Sequence, residues 1–177
     1  MNLLFVFLLR TNPRLRLLLH QDSWKIPSCS DTKLRAPTEM SKPDYSGVYH
    51  MVEQKNMDEY LAALDINIAL RKIVCLLRPS KDISHDPASG AMKIRTLTTF
   101  RNFDMDFTIG QEFTEDLGPV DGRKCQTTVS WDGDKLVCVQ RGEKEGRGWT
   151  HWLDNDHLHL EMRVQGVVAK QVFKKAN

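Results

Sequence analysis

The stretch GRGWTHW, residues 146–152, places a histidine, His151, between two tryptophans. A histidine side chain can act as a general base, bind a metal ion, or hydrogen-bond to a ligand through either ring nitrogen. It can also lie on the surface, or pack in a core with its polar atoms satisfied. The chemistry available to His151 therefore depends on which face of its structural element it occupies.

The residues that follow His151 predict a β-hairpin, and this hairpin decides the face. Apolar and polar residues alternate over residues 157–164, which is typical of a half-buried strand. Asn155-Asp156 is a suitable centre for a tight turn, and this turn would pair His151 with Leu160. Because paired side chains share a face, His151 and Trp149 are predicted to point inward with the apolar residues. The outward face then carries Trp152, His157 and His159.

Polar residues recur on the predicted inward face of other strands. The face is extended by a turn at Asp132-Gly133, by a strand over Met92–Phe100 and by alternation in the last strand. The inward polar set is Thr96, Thr98, Thr127, Gln140, His151 and Gln171. Each buried polar group costs free energy unless it is hydrogen-bonded. Either these groups satisfy one another with buried water, or they line a binding cavity, and the residues alone leave both interpretations open.

Two short helices are predicted before the β-rich region. Asn56 with Glu59 three residues later resembles a capping box that would start the first helix. Asn67 can cap a second helix over Ile68–Leu77, which must end before Pro79. The short link between the two segments predicts a helix–turn–helix.

The chain beyond Pro79 is predicted to be β-structure throughout. Turn signals recur at short spacing between alternating segments such as residues 103–109. Successive hairpins favour an up-and-down meander that closes into a barrel, because closure removes exposed sheet edges. A barrel closed from the strands between these turns has room inside for a small ligand.

Composition and motifs exclude several functional classes. A formal net charge of +2 over 177 residues gives no general attraction to nucleic acid. The four cysteines form no CxxC pair, and no third ligand accompanies His157 and His159, so no metal site is expected. The chain also lacks GxSxG, HExxH and glycine-rich phosphate-loop motifs. We therefore expect a binding protein with reduced thiols rather than an enzyme.

Residues 1–39 differ in character from the remainder. The apolar run Leu3–Leu9 is far shorter than a membrane-spanning helix, and it is followed by Arg10 and Arg14 in a basic, proline- and serine-containing stretch. We expect an unstructured N-terminal extension over residues 1–39 and a single folded domain over residues 40–177. A targeting role for the extension is the alternative.

Several segments of this domain match a known family. They are ALDINIALRKI (63–73), RTLTTFRNF (95–103), VDGRKCQTTVSWDGDKLVCVQRGEKEGRGW (120–149) and LHLEMRVQGVVAKQVFKK (158–175), preceded by Gly47-Val48-Tyr49. From about Pro43 to Asn177 the chain resembles the intracellular lipid-binding proteins. Within that family it resembles the cellular retinol-binding proteins, most closely their type I form.

The resemblance implies a fold and a function. The fold is an all-β, ten-stranded, up-and-down flattened barrel of the lipocalin-like type with a helix–turn–helix lid. The function is a cytoplasmic, monomeric carrier that needs no cofactor and binds all-trans-retinol inside the barrel. Its expected partners are retinol itself, membranes met transiently, retinoid-metabolising membrane enzymes and a retinol uptake receptor, with no nucleic acid.

The resemblance also implies site residues. The family's retinol contacts fall on Lys81, Met105 and His151 of this chain. Further positions on the cavity wall or near the portal are Met57, Val74, Pro79, Thr96, Thr98, Trp149 and Gln171. The portal, which is the opening of the barrel under the lid, and the surface that meets partners are expected to involve Ala62, Arg71 and Lys72. Arg71 and Lys72, together with Arg78, give the second helix a basic side.

Two departures from the family pattern bear on the ligand. Type I and type II retinol carriers have glutamine where this chain has His151, whereas more divergent members have histidine. Met57 replaces the usual aromatic residue of the first helix. Relatives that carry acids place arginines at inward positions of the last strands, where this chain has His151 and Gln171. Neutral histidine and glutamine suit a hydroxyl, but a protonated His151 would suit an acid, so a fatty acid or retinoic acid is the alternative ligand.

Overall fold

A computed structural model of the chain describes residues 41–177, and this part contains ten strands and three helices. The strands are β1 (Gly47–Lys55), β2 (Ser80–Asp86), β3 (Ala91–Leu97), β4 (Phe103–Thr108), β5 (Glu112–Leu117), β6 (Arg123–Asp132), β7 (Lys135–Arg141), β8 (Gly148–Asp154), β9 (His157–Val164) and β10 (Val167–Lys175). The helices are α1 (Met57–Ala63), α2 (Ile68–Leu76) and α3 (Gly118–Asp121).

The ten strands form one antiparallel sheet in the order β4-β3-β2-β1-β10-β9-β8-β7-β6-β5. Consecutive strands therefore pair with each other throughout, except β4 and β5, which are the two edge strands. The first strand, β1, also pairs with the last strand, β10, and this brings the two ends of the β-region together. No ladder joins β4 to β5 within residues 41–177. The predicted up-and-down barrel with a helical lid is confirmed, and its wall is open along this single seam.

The hairpin that carries His151 has the predicted register. Trp152 pairs with His159 and His151 with Leu160 across the Asn155-Asp156 turn. Asn155 has φ of 54°, the left-handed conformation that such a turn requires. The pairing is specified by the apolar residues, because a slip of one position would expose all of them.

Two predicted β boundaries were wrong. Between β6 and β7 the turn is centred on Gly133-Asp134 rather than Asp132-Gly133, so Trp131 pairs with Leu136. This shift of two residues in the pairing leaves every side chain on its predicted face. β3 ends at Leu97 and not at Phe100, because Thr98 accepts hydrogen bonds from the backbone of Phe100 and Arg101 and closes a turn.

The two helices of the lid begin differently. Asn67 caps α2 as predicted, and its side chain accepts a hydrogen bond of 2.9 Å from the amide of Leu70. The predicted capping box of α1 was wrong. Asn56 has φ of 59° and makes no side-chain cap, and its amide donates instead to the carbonyl of Val168 on β10. Asn56 thus fastens the start of α1 to the barrel.

Two apolar clusters hold the domain together. The larger cluster fills the barrel between strands and includes Tyr49, Met92, Leu136 and Phe173. The smaller cluster joins the lid to the β9–β10 end and consists of Tyr60, Leu61, Leu64, Val164 and Ala169. Burial of these side chains stabilises the fold at roughly 25 cal/mol per Å² of apolar surface.

The predictions for residues 1–39 lie outside the described residues. Within residues 41–177 there is no helix with the length and apolar character that a membrane crossing requires.

Candidate functional site

His151 lies inside the barrel without a hydrogen-bond partner. Its side chain belongs to the inward face of β8, and the residue is 3% exposed. Both ring nitrogens, Nδ1 and Nε2, are buried and unpartnered. Burial, and secondarily the positive charge of Lys81, hold the pKa of His151 well below its usual range, so the ring is neutral at physiological pH. An unpaired buried polar group is costly and is a position where a ligand is expected to bind.

The backbone around His151 is held closely by its neighbours. Gly148 begins β8 at a point where an added Cβ would lie 2.2 Å from the carbonyl oxygen of Cys138, so β7 and β8 approach closely only with glycine. The hydroxyl of Tyr45 lies 3.2 Å from the carbonyl oxygen of His151. The ring of Trp149 packs edge-on against the imidazole with centroids 4.6 Å apart. These contacts fix the position of the imidazole ring and leave its nitrogens free.

Lys81 provides a second polar group in the interior. It lies on β2, is 8% exposed, and donates a hydrogen bond of 2.8 Å to Oγ1 of Thr96 on β3. Its Nζ also lies 5.8 Å from the centre of the Phe173 ring. Burial lowers the pKa of Lys81 to about 8. The interior therefore contains a weakly basic amine beside an aromatic ring.

Gln171 is the inward polar group of β10. The chain of pairs Gln171–Leu160–His151 places it two strands from the histidine, on the same face of the sheet. Its Nε2 lies 3.5 Å from Oε1 of Gln54, a long hydrogen bond. The Nε2 of Gln54 in turn donates a bond of 2.6 Å to the carbonyl oxygen of Cys75 in α2.

Sequence reasoning missed the interior residue Glu115. This carboxylate lies on β5 and accepts hydrogen bonds of 2.8 Å from Thr127 and from Gln140. The prediction that Thr127 and Gln140 point inward is confirmed, but these two residues bond to Glu115 rather than to each other. Phe113, Glu115 and Leu117 are alternate residues of β5, and this period-two pattern could have predicted that Glu115 faces inward.

Apolar residues of the wall remain partly accessible from the interior. Met105 on β4 and Trp149 on β8 point inward, pack against the main cluster and are only half-buried. In the lid, Met57 and Val74 pack against the smaller cluster and Ala62 is half-buried, while Pro79 is buried where the chain enters β2. Thr98 does not share this wall, because its hydroxyl is engaged in the β3–β4 turn by donating to Arg101. The structure thus separates Thr98 from the other predicted wall positions.

The basic side of α2 is smaller than predicted. Arg71 is turned toward α1, where its Nε lies 3.2 Å from Oδ1 of Asp58, and its side chain is 19% exposed. Lys72 and Arg78 are exposed. Apolar side chains accompany them at the surface, with Ile73 46% and Leu76 80% exposed. Arg71 therefore ties the two helices together, and the free charges are those of Lys72 and Arg78.

The interior site is distinct from a groove that includes outward-facing residues of β2, β3 and β4. A groove of about 700 Å³ runs over β2, β3 and β4 and includes Ser84, Lys93 and Asp106 in its lining. None of the interior polar groups, such as Lys81 or His151, lines it. Residues 41–177 also contain no cluster of three or more His, Cys, Asp or Glu side chains that could hold a metal ion.

Comparison with known proteins agrees with this geometry. The sequence profile of the lipocalin / cytosolic fatty-acid binding protein family matches residues 46–177. The chain belongs to this family. It is 63% identical over 134 residues to retinol-binding protein 1 of Bos taurus, an alignment that covers 76% of this chain and 98% of the bovine protein.

Solved structures of the family have the same fold. The structure of human cRBP IV superposes with a TM-score of 0.73 and 44% identity, covering 76% of this chain and 99% of the human chain. The REP1-NXSQ fatty acid transporter superposes with a TM-score of 0.67 and 29% identity, covering 75% of this chain and 96% of the transporter. The resemblance to the cellular retinol-binding proteins that the sequence motifs indicated is confirmed.

Proposed function

We propose that this chain is a carrier of all-trans-retinol, which it binds inside the barrel with the hydroxyl group hydrogen-bonded to His151. The observation that carries the proposal is the pair of buried, unpartnered ring nitrogens of His151. A neutral imidazole can donate one hydrogen bond and accept another, and a hydroxyl can do both in return. The similarity to retinol-binding protein 1 supports the same ligand.

The charges of the interior favour an alcohol over an acid. The buried arginine Arg147 is already paired with Asp121 at 2.8 Å, so it is not available to meet a carboxylate. A buried carboxylate without a strong partner is expensive. The polyene chain of retinol would supply most of the binding free energy by covering the half-buried wall residues Met105 and Trp149.

The alternative is a carrier of a fatty acid or retinoic acid. Lys81 is the observation that favours it, because a buried ammonium group could pair with a carboxylate. The structural similarity to a fatty acid transporter points in the same direction. With a pKa of about 8, the Lys81 amine is still protonated near pH 7, so competition between retinol and an acid has to decide between the two ligands.

The proposal includes a setting and partners. We infer a cytoplasmic, monomeric carrier without a cofactor or catalytic activity, supported by the cytosolic binding proteins of its family. Delivery to retinoid-metabolising membrane enzymes, loading from a retinol uptake receptor and transient contact with membranes complete the proposed role. The exposed apolar and basic residues of α2 support the membrane contact.

A fluorescence titration tests the ligand. The full chain is titrated with all-trans-retinol and, separately, with all-trans-retinoic acid, while quenching of tryptophan emission reports occupancy next to Trp149. We expect saturation at one equivalent of retinol and an affinity that is unchanged between about pH 6 and about pH 7, because His151 is neutral at both values. Retinoic acid that binds more tightly than retinol, and still more tightly at the lower pH, would contradict the proposal.

A matched pair of histidine variants tests the contact. His151→Leu removes both ring nitrogens from the interior and is expected to weaken retinol binding roughly tenfold. His157→Leu makes the same change on the outward face of the same hairpin, and it should leave the affinity unaltered. Equal affinities of the two variants for retinol would exclude the proposed hydrogen bond.

A further inference from the structure

The C-terminal half of α2 is attached to the barrel by one side-chain hydrogen bond. No residue of α2 is buried. Among the described residues, the bond from Gln54 of β1 to the carbonyl oxygen of Cys75 is the one hydrogen bond between a strand side chain and this helix. Gln54 reaches it because β1 has a bulge between Met51 and Glu53, after which Gln54 pairs with Gln171 on the inward face.

The chemistry of this contact sets the orientation of two amide groups. The carbonyl oxygen of Cys75 can only accept a hydrogen bond, so the nitrogen of the Gln54 amide must face it, at 2.6 Å. The oxygen of that amide then faces Gln171. The nitrogen of Gln171 must in turn face this oxygen, at 3.5 Å, because two amide oxygens at that distance would repel each other.

The two hydrogen bonds from Gln171 to Gln54 and from Gln54 to Cys75 form a relay. The atom of this relay that is still without a partner among the described residues is the oxygen of the Gln171 amide. No hydrogen bond to this oxygen is present within residues 41–177. Gln171 shares the inward face with His151, separated by the intervening strand β9. Two strand spacings of ~4.8 Å place the two Cα atoms about 10 Å apart, with Leu160 between them on the same face, so a ligand oxygen that reaches both side chains lies above Leu160.

We propose that Gln54, although it need not touch the ligand, makes the interior selective for a hydroxyl group by holding Gln171 with its amide oxygen toward the cavity. This inference rests on the proposed function of retinol binding. A hydroxyl can donate to Gln171 and accept from whichever nitrogen of His151 carries hydrogen. An aldehyde or a carboxylate has no hydrogen to donate, and it would face the oxygen of Gln171 as a second acceptor.

The relay also connects selectivity to the lid. Its first acceptor, Cys75, belongs to α2, so the orientation of Gln171 is fixed only while α2 lies against β1. Loss of the Cys75 contact frees the Gln54 amide to turn, and the Gln171 amide can then turn with it. Gln54 is thus a positioning residue for Gln171.

The experiment compares affinities for all-trans-retinol and all-trans-retinal in the full chain. Gln54→Met preserves the length of the side chain and removes both hydrogen bonds. We expect the ratio of retinal to retinol dissociation constants to fall roughly fivefold, because the freed Gln171 amide can present its nitrogen to the aldehyde. Gln126→Met is the matched control, since Gln126 lies on β6 and, among residues 41–177, its side chain bonds to Thr114 on the outside, and its ratio should equal that of the unmodified chain.

A second variant separates amide orientation from attachment of the lid. Gln54→Glu cannot donate to Cys75, but its carboxylate still accepts from the nitrogen of Gln171 and keeps the Gln171 oxygen facing inward. We expect Gln54→Glu to retain the alcohol preference that Gln54→Met loses. Circular dichroism and thermal unfolding verify that each variant is folded.

The outcomes distinguish this inference from the proposed function. If the unmodified chain binds neither retinoid, the retinol-carrier function fails. If it binds retinol but Gln54→Met weakens both retinoids equally, Gln54 has a structural role alone and the inference is overturned. Loss of the alcohol preference in Gln54→Glu as well would also overturn it, because the attachment of α2 and not the orientation of Gln171 would then set selectivity.

Discussion

At the scale of single residues, the interior contains polar groups that oppose folding. His151 has two unpartnered nitrogens, and Lys81 has a buried amine with one hydrogen bond and an aromatic neighbour. Neither arrangement is one that stability alone would favour, because apolar side chains of similar size would fill the same space at lower cost. Such residues are expected where a ligand completes the hydrogen bonds.

The burial of Lys81 predicts a measurable cost. The unfolded chain holds this proton up to about pH 10.5, whereas the folded chain releases it at about 8, so protonation favours the unfolded state between these values. Lys81→Met should raise the free energy of unfolding by about 2 kcal/mol near pH 7, where the cost is fully present. Urea unfolding of the ligand-free protein measures this change.

The pH dependence provides the control for that experiment. The stability advantage of Lys81→Met should shrink as the pH rises from about 8 toward about 10, because the folded unmodified protein loses the buried charge in that range. A variant that is less stable than the unmodified chain near pH 7 would show that Lys81 is stabilised by its surroundings, contrary to this account.

At the scale of elements, α2 is held to the domain without any buried residue of its own. Its start is fixed by the Asn67 cap, and its body by the Arg71–Asp58 ion pair with α1. Its outer surface exposes Leu76 and Ile73 beside the charge of Lys72, and the exposed Arg78 follows just after its end. Apolar side chains next to basic ones suit contact with an anionic bilayer.

Charge reversal on α2 tests this contact. The double variant Lys72→Glu, Arg78→Glu should slow transfer of bound retinol to vesicles containing phosphatidylserine by roughly tenfold or more, because each basic residue contributes about 1 kcal/mol near an anionic surface. Retinol affinity should not change, since neither side chain points into the barrel. Transfer is followed by loss of energy transfer from tryptophan to retinol.

A second double variant provides the comparison. Lys135→Glu with Lys174→Glu makes the same change in net charge on β7 and β10, at the end of the barrel away from the lid. Its transfer rate should fall much less than that of the α2 variant. If both double variants slow transfer equally, net charge and not α2 governs the approach to the membrane.

At the scale of the whole domain, a buried ion-pair network joins three connections that are distant in sequence. Asp121 of α3 and Arg147, which precedes β8, have side chains 0% and 2% exposed and lie 2.8 Å apart. Arg123 also bonds to Asp121, and it donates to the carbonyl oxygen of Leu64 at the end of α1. The network thereby couples the end of the barrel at α3 and β8 to the lid.

Breaking the buried pair should destabilise the domain. Arg147→Met leaves the carboxylate of Asp121 buried with Arg123 as its remaining partner, and we expect a loss of about 3 kcal/mol in the free energy of unfolding. Arg141→Met is the matched control, because Arg141 is exposed and pairs with Glu112 at 3.1 Å, and it should cost less than about 1 kcal/mol. Similar losses for the two variants would show that burial of the network contributes little.

Much of the site could be predicted from local patterns in the chain. The alternation in β9 and the Asn155-Asp156 turn placed His151 inward, and the same alternation in β10 placed Gln171 on that face. These predictions succeed because strand periodicity and turn chemistry act over a few residues, and because a slip of one residue would expose every apolar side chain. The Asn67 cap follows the same local logic.

Other features depend on contacts between residues far apart in the chain, and the tertiary structure alone decides them. The bulge in β1 turns Gln54 inward, where period-two alternation would have placed Glu53. Asn56 bonds to Val168 rather than capping its own helix, and Arg71 turns from the surface to Asp58. In each case a partner distant in the chain competes successfully with the local preference, and local sequence patterns do not contain that partner. Local sequence therefore determined the inward faces of β8, β9 and β10, whereas contacts between distant segments determined the inward position of Gln54 and the orientation of the polar atoms.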